Sequence, residues 1–202
     1  MSPFYKFARG VIYPFFIWLL PVKFIGFEKV NKKGGYIVCA NHTSNTDPFF
    51  LVAIFKRQIH FMAKAELFKI PLVSLVLRSA GVFQVNREKS DVGAVKSSEK
   101  IINEGKIFGI FPEGTRHKTG APRKAKSGVA YIAMHTKADI LPISIYREGK
   151  FNILKKTTIR CGEFIPYSEL VDAEESDRAN MRRITQRVMN EITSLWEMKH
   201  GD

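Results

Sequence analysis

Short β-rich runs alternate with helical stretches of mostly ten to fifteen residues through the body of this chain, and that alternation restricts it to an α/β layer fold. Strand patterns fall at 26–30, 36–40, 60–63, 81–85, 107–111, 140–145 and 157–164. Helical patterns lie between them at 48–57, 67–79, 90–103 and 127–136, with a last one at 173–200. The expected architecture is a central mixed sheet flanked by helices. At 202 residues the chain can bury one sizeable core, and two would be cramped. The apolar stretch at 70–77 (IPLVSLVL) reads as a helix buried in that core.

The first 25 residues are of another kind. Residues 11–22 (VIYPFFIWLLPV) form an unbroken apolar run, with Lys6 and Arg9 before it and Lys23 after it. A bilayer-spanning helix needs about 20 apolar residues, so this run is too short to cross. No small-x-small cleavage site follows it, which argues against a signal peptide. Phe4, Phe7, Val11, Phe15 and Trp18 recur at helical spacing, and the flanking cations suit anionic headgroups. Residues 1–25 are therefore expected to form a membrane-interfacial helical segment, and residues 26–202 the α/β domain.

Thirty-two Lys and Arg against nineteen Asp and Glu give a formal net charge of +13, which favours a polyanionic partner without choosing among nucleic acid, an anionic bilayer and acidic ligands. The two cysteines, Cys39 and Cys161, form no CxxC pair and have no His or Cys neighbour at metal-ligand spacing. Cys39 reads as a small buried apolar residue in a strand, and nothing suggests a disulfide framework.

Two strands run directly into polar loops. Residues 36–40 lead into Asn41-His42-Thr43-Ser44-Asn45-Thr46-Asp47-Pro48, and 107–111 into Pro112-Glu113-Gly114-Thr115-Arg116. In open α/β sheets ligands gather beyond the carboxyl ends of strands, so the two loops can line one crevice. Pro48 suits the first turn of the following helix, with Asp47 as its N-cap. A five-residue step on a continuous helix turns about 140° around the axis, so His42 and Asp47 can meet only in a turn. There the carboxylate can hold the proton on one imidazole nitrogen and leave the other as a general base. No GxSxG-type elbow supplies a serine nucleophile, which favours direct attack by a substrate hydroxyl. Gly114 permits close backbone approach, Thr115 offers a hydroxyl, and the Arg116 guanidinium can grip a phosphate. Arg87 ends another strand pattern, Gly81-Val82-Phe83-Gln84-Val85-Asn86-Arg87, and would complete a phosphate clamp.

Taken in order, NHTSNTD at 41–47, GVFQVNR at 81–87, FPEGTR at 111–116 and LPIS at 141–144 resemble the motif blocks of the glycerolipid acyltransferases, specifically the 1-acyl-sn-glycerol-3-phosphate acyltransferases. The resemblance covers about residues 26–145. It implies that His42 is the general base and Asp47 its charge partner. Arg87, Glu113, Gly114, Thr115 and Arg116 would bind the glycerol phosphate of the acceptor, lysophosphatidic acid. Leu141, Pro142 and Ile143 are similar to the segment associated with the acyl donor, which is acyl-CoA or acyl-carrier protein. The resemblance further implies a place on the cytoplasmic membrane face, no metal and no tightly held cofactor.

Three rivals compete with that reading. One is the same chemistry on glycerol-3-phosphate or another lysophospholipid. The second is a non-catalytic nucleic-acid-binding protein, against which stand the dispersed basic residues and the lack of any recognition motif, so no nucleic-acid partner is expected. The third is a catalytically dead adaptor that uses only its N-terminal helix on a membrane.

Overall fold

The structure is a computed structural model that describes residues 2–18, 20–85, 92–116, 121–148 and 155–201. Its centre is a sheet of seven strands: β1 (Val22–Ile25), β2 (Tyr36–Ala40), β3 (Ile59–Lys64), β4 (Phe83–Val85), β5 (Ile107–Ile110), β6 (Ile140–Arg147) and β7 (Thr157–Cys161). Their spatial order is β1-β7-β6-β2-β5-β3-β4. Strands β2 to β6 pair in parallel, β7 turns antiparallel to β6, and β1 runs parallel to β7. The sheet is thus mixed, as expected. Helices α1 (Pro3–Trp18), α2 (Asp47–Ile54), α3 (Pro71–Ser79), α4 (Val92–Asn103), α5 (Gly128–Thr136), α6 (Tyr167–Leu170) and α7 (Asp177–Glu197) flank it.

The central strands are apolar because both of their faces are covered. Every residue of β2 has 0% exposure. On one side its Tyr36, Val38 and Ala40 pack with Phe50, Leu51 and Ile54 of α2. On the other, Ile37 and Cys39 meet Val129 and Ile132 of α5 and Ile184, Val188 and Ile192 of α7. That is the continuous hydrophobic run of a parallel strand buried on both faces. Cys39 is buried there as an apolar residue, its thiol pushed well above the usual range by desolvation.

Several expectations are corrected. Residues 26–30 are not a strand: Gly26, at φ 72°, opens a 3-10 turn at Phe27–Asn31, and the edge strand is β1, which begins at the last residue of the apolar run. Residues 22–25 therefore belong to the sheet. The helical pattern at 67–79 divides into a 3-10 turn, Ala65–Lys69, and α3, because Pro71 starts a helix more readily than it continues one. Helix α3 is not a core helix, for it buries no residue; Leu72 is 73% and Leu75 64% exposed. It forms the crossover to the edge strand β4 and packs chiefly on the turn before it, so among the described residues no second layer covers its apolar face. Helix α7 starts at Asp177 and not at 173, where Ser176 caps it by accepting from the Ala179 amide at 3.3 Å.

The N-terminal segment is helical as expected, with Pro14 inside it. Tyr5 anchors it, buried to 1% exposure with its hydroxyl donating to the Arg57 carbonyl at 3.3 Å. Ser2 donates its amide to Gln58 at 2.8 Å and its hydroxyl to the Ser79 carbonyl at 2.9 Å, which fastens the start of α1 beside the end of α3. Phe7 and Val11 face outward, 71% and 56% exposed. Among the described residues no helix is long and apolar enough to cross a membrane.

Candidate active site

Strands β2, β5 and β6 lie side by side and point the same way, so their carboxyl ends deliver three loops to one edge. The loop after β2 carries His42 and the turn into α2. Asp47 is not the N-cap of that helix; Thr46 holds the position, and Asp47 is its first residue. Its carboxylate faces back into the loop. One oxygen, Oδ2, accepts the amides of Thr43 at 2.6 Å and Ser44 at 2.8 Å, and sits 3.0 Å from His42 Nδ1. The turn thus folds around the carboxylate, which brings together two side chains that a helix would separate.

The other carboxylate oxygen meets Arg147, at the end of β6, whose Nη2 donates to Asp47 Oδ1 at 3.0 Å. The same guanidinium donates from Nη1 to Thr43 Oγ1 at 2.6 Å and from Nε to Thr157 Oγ1 at 3.0 Å. Its ring-facing contact is Phe50, 4.8 Å from the guanidinium carbon. Asp47 is fully buried and Arg147 almost so. Burial presses the guanidinium pKa down, and Asp47 opposes that shift. Asn41 joins the same two strands: its amide donates to the Ile145 carbonyl at 2.9 Å and accepts the Ile145 amide at 2.7 Å.

The imidazole is held from its face as well. Phe111 stacks on His42 with ring centroids 4.0 Å apart and an 18° tilt, and Phe61 stacks on Phe111 at 5.8 Å. Gly109 makes room for this column: a Cβ there would stand 2.4 Å from Phe61 Cε1. Since Asp47 can only accept, the proton belongs on Nδ1. Nε2 makes no hydrogen bond among the described residues, and the ring keeps 12% of its surface open.

The loop after β5 closes the other side. Glu113 accepts the His42 backbone amide at 3.2 Å and is itself 4% exposed. Desolvation pushes its carboxyl up to about 7, with the His42 amide and Arg123 opposing and Asp47 adding to the rise. Gly114 adopts φ 74°, and a Cβ on it would meet the Lys126 side chain at 3.1 Å. Thr115 is exposed beside it. Arg116 is exposed and donates to Asn45 Oδ1 at 2.5 Å, which ties it to the His42 loop.

The sequence-predicted residues therefore divide. His42, Asp47, Glu113, Gly114, Thr115 and Arg116 come together at one sheet edge. Leu141, Pro142 and Ile143 lie within β6 in register with Val38 to Ala40 and are buried. Arg87 lies outside the described residues; β4 before it ends at Val85, beside Lys64 of β3. Sequence reasoning missed Arg147, Asn41 and Thr43. A lone charge ending the otherwise uncharged strand 140–147 was the available signal for Arg147. No group of three or more His, Cys, Asp or Glu side chains is placed to hold a metal among the described residues.

An imidazole oriented by a buried carboxylate, with one nitrogen open, is an arrangement that can take a proton from a hydroxyl. The model of the Acyltransferase family matches residues 21–146. The 1-acyl-sn-glycerol-3-phosphate acyltransferase of Borreliella burgdorferi is 32% identical over 187 residues, covering 90% of this chain and 74% of that protein. The enzyme of the same description from Bacillus subtilis is 30% identical, covering 74% of this chain and 79% of its own length. The crystal structure of the 1-acyl-sn-glycerophosphate (LPA) acyltransferase PlsC from Thermotoga maritima superposes with a TM-score of 0.69 at 26% identity, covering 95% of this chain and 80% of that one. The chain belongs to the PlsC-like 1-acyl-sn-glycerol-3-phosphate acyltransferase family, and it is an enzyme of acyl transfer to a lysophospholipid acceptor.

Proposed function

We propose that this enzyme transfers a fatty acyl group from acyl-CoA or acyl-carrier protein to the sn-2 hydroxyl of 1-acyl-glycerol-3-phosphate, forming phosphatidic acid. The single observation that carries the reading is the 3.0 Å contact of His42 Nδ1 with Asp47, on a loop that Asn45 also links to Arg116. In this mechanism the acceptor phosphate docks on Arg116, with Arg87 completing the clamp and Gly114 and Thr115 lining its approach. The sn-2 hydroxyl then lies against His42 Nε2. As the oxygen attacks the thioester carbonyl, Nε2 takes its proton, and Asp47 stabilises the imidazolium that forms. Collapse of the tetrahedral intermediate breaks the carbon–sulfur bond, and the imidazolium returns the proton to the departing thiolate sulfur. Arg147 would fix the carboxylate that orients the base. Glu113 would brace the His42 backbone. Leu141, Pro142 and Ile143 would influence the donor through the strand they build, not by touching it.

The enzyme would work from the membrane surface, on its cytoplasmic face. The exposed Phe7 and Val11 of α1, with Leu72 and Leu75 of α3, support a monotopic seating, and Lys6, Arg9 and Arg78 nearby in sequence suit an anionic headgroup layer.

The test is transfer of a labelled acyl group from its thioester to a panel of acceptors in mixed micelles: 1-acyl-glycerol-3-phosphate, glycerol-3-phosphate and a lysophospholipid with a blocked phosphate. Turnover should be greatest with the first. His42→Ala should lose about 10²–10⁴-fold in kcat while melting like the wild type. Near wild-type transfer by His42→Ala would refute the mechanism, and preference for glycerol-3-phosphate would refute the acceptor.

A further inference from the structure

Beside the catalytic loops lies an open groove of about 1340 Å³ whose lining cations the mechanism above does not use. One wall is the segment 122–127, which reaches back over the β5 loop where the Lys126 amide donates to the Pro112 carbonyl at 2.8 Å. The other wall is one face of α7. Glu113, whose carboxyl touches the His42 backbone, lies on the groove lining. The groove therefore reaches the catalytic loop.

Its charge is one-sided. Arg123, Lys124, Lys126, Arg178 and Arg182 line it, against Glu113 as the lone carboxylate. Elsewhere on α7 the cations are neutralised: Arg183 pairs with Asp172 at 3.3 Å and Glu175 at 2.6 Å, and Arg187 with Glu191 at 3.1 Å. None of the five groove cations forms an ion pair or a side-chain hydrogen bond with another described residue, although Arg178 and Arg182 share the same helix. Charges of one sign gathered around a concavity repel one another and raise the local concentration of polyanions. The α7 lining runs from Arg178 to Thr193, about 22 Å at 1.5 Å per residue, which exceeds what one headgroup phosphate requires. Between its ends α7 offers amide and hydroxyl side chains and two methionines, a surface for an extended, amide-bearing arm.

We propose that this groove binds the phosphorylated pantetheine arm of the thioester donor, with Arg123, Lys124, Arg178 and Arg182 around its phosphate and the thioester directed past Glu113 to His42. This rests on the acyl-transfer reading above. Coenzyme A and a carrier protein both bear that arm, and the assay separates them. Donor and acceptor then occupy different cation sets, Arg116 for the acceptor and the groove for the donor.

The experiment measures donor KM with acyl-CoA and with acyl-carrier protein, at saturating acceptor in detergent micelles, for R178E/R182E and R123E/K124E. Each double variant should raise donor KM by on the order of tenfold or more while leaving kcat and the acceptor KM within about twofold, as expected for lost charge-assisted phosphate contacts. A rise with both donors assigns the groove to the shared phosphopantetheine, and a rise with one assigns it to that donor's own anionic end. Unchanged donor KM values with both, in folded and active variants, overturn the proposal. So does a loss confined to vesicle binding, which would make the groove a headgroup surface. Equilibrium titration with free coenzyme A keeps the two readings apart. If the wild type transfers no acyl group, the functional reading fails, yet coenzyme A binding that the reversals abolish would still uphold the groove; its absence or indifference to them would refute it.

Discussion

Replacing Glu113 with Gln should stabilise this enzyme, and only where the carboxyl would otherwise be charged. Burial lifts the group from 4.5 to about 7 in the folded protein. Between those values the native chain holds a proton that the unfolded chain has released, so stability falls as pH rises through the window. The loss is complete above about 7 and absent below 4.5. At 1.36 kcal/mol per pH unit the full difference is about 3 kcal/mol, and screening at the open groove reduces it to about 2 kcal/mol. Glutamine has the same shape, is neutral throughout, and keeps an oxygen to accept the His42 amide. Glu113→Gln should thus gain about 2 kcal/mol at pH 8, worth roughly 4–8 °C in Tm for a chain of this size. The gain should shrink toward nothing at pH 4.5. Paired urea titrations of both proteins at the two pH values, followed by circular dichroism, read this directly. An equal gain at both values, or none at pH 8, would show that the carboxyl is not held neutral by desolvation.

Three further outcomes follow from the same geometry. Arg147→Met leaves a fully buried carboxylate without its guanidinium and should cost about 3–5 kcal/mol in urea denaturation, as breaking one side of a buried pair does; a variant as stable as wild type would refute the pairing. Arg116→Ala should raise the acceptor KM by roughly 10- to 150-fold, the worth of a charge-assisted phosphate contact, with donor KM unchanged; an effect on kcat alone would place this arginine elsewhere in the reaction. Leu72→Asp with Leu75→Asp should weaken sedimentation with anionic vesicles, since each leucine can bury about 1.5–3 kcal/mol of apolar side chain in a bilayer, while leaving Tm in micelles unaltered; unchanged sedimentation would remove α3 from the membrane contact.

What could be read from the string of residues was what is local. His42 and Asp47 are five positions apart, and a single turn brings them together, so spacing alone allowed their contact. The strand at 36–40 was legible because a parallel central strand is covered on both faces and must be apolar throughout. The edge was harder. The apolar run that ends at Val22 hid the start of β1, because a four-residue strand and the end of a helix look alike without periodicity. The apolar pattern of α3 marked a face to be covered, yet nothing in the pattern says whether the core covers it; only its place beside the edge strand shows that the core does not.

The contacts that fix the Asp47 carboxylate lie beyond any local reading. Asp47 and Arg147 are 100 positions apart, and Asn41 and Ile145 are 104 apart. They meet because β6 lies directly beside β2, a neighbour relation set by the crossover through α5 and not by either segment's composition. The consequence is a division of labour between the two scales. The loop alone can bring a carboxylate to an imidazole, but Oδ2 already receives two backbone amides as well as the ring, and for the second oxygen the loop offers the Thr43 hydroxyl at 3.4 Å. The sheet supplies a closer, charged partner from its adjoining strand. The orientation of the His42 ring is therefore a property of strand order: a substitution that loosened β6 against β2 would disturb His42 through Asp47 without touching either residue.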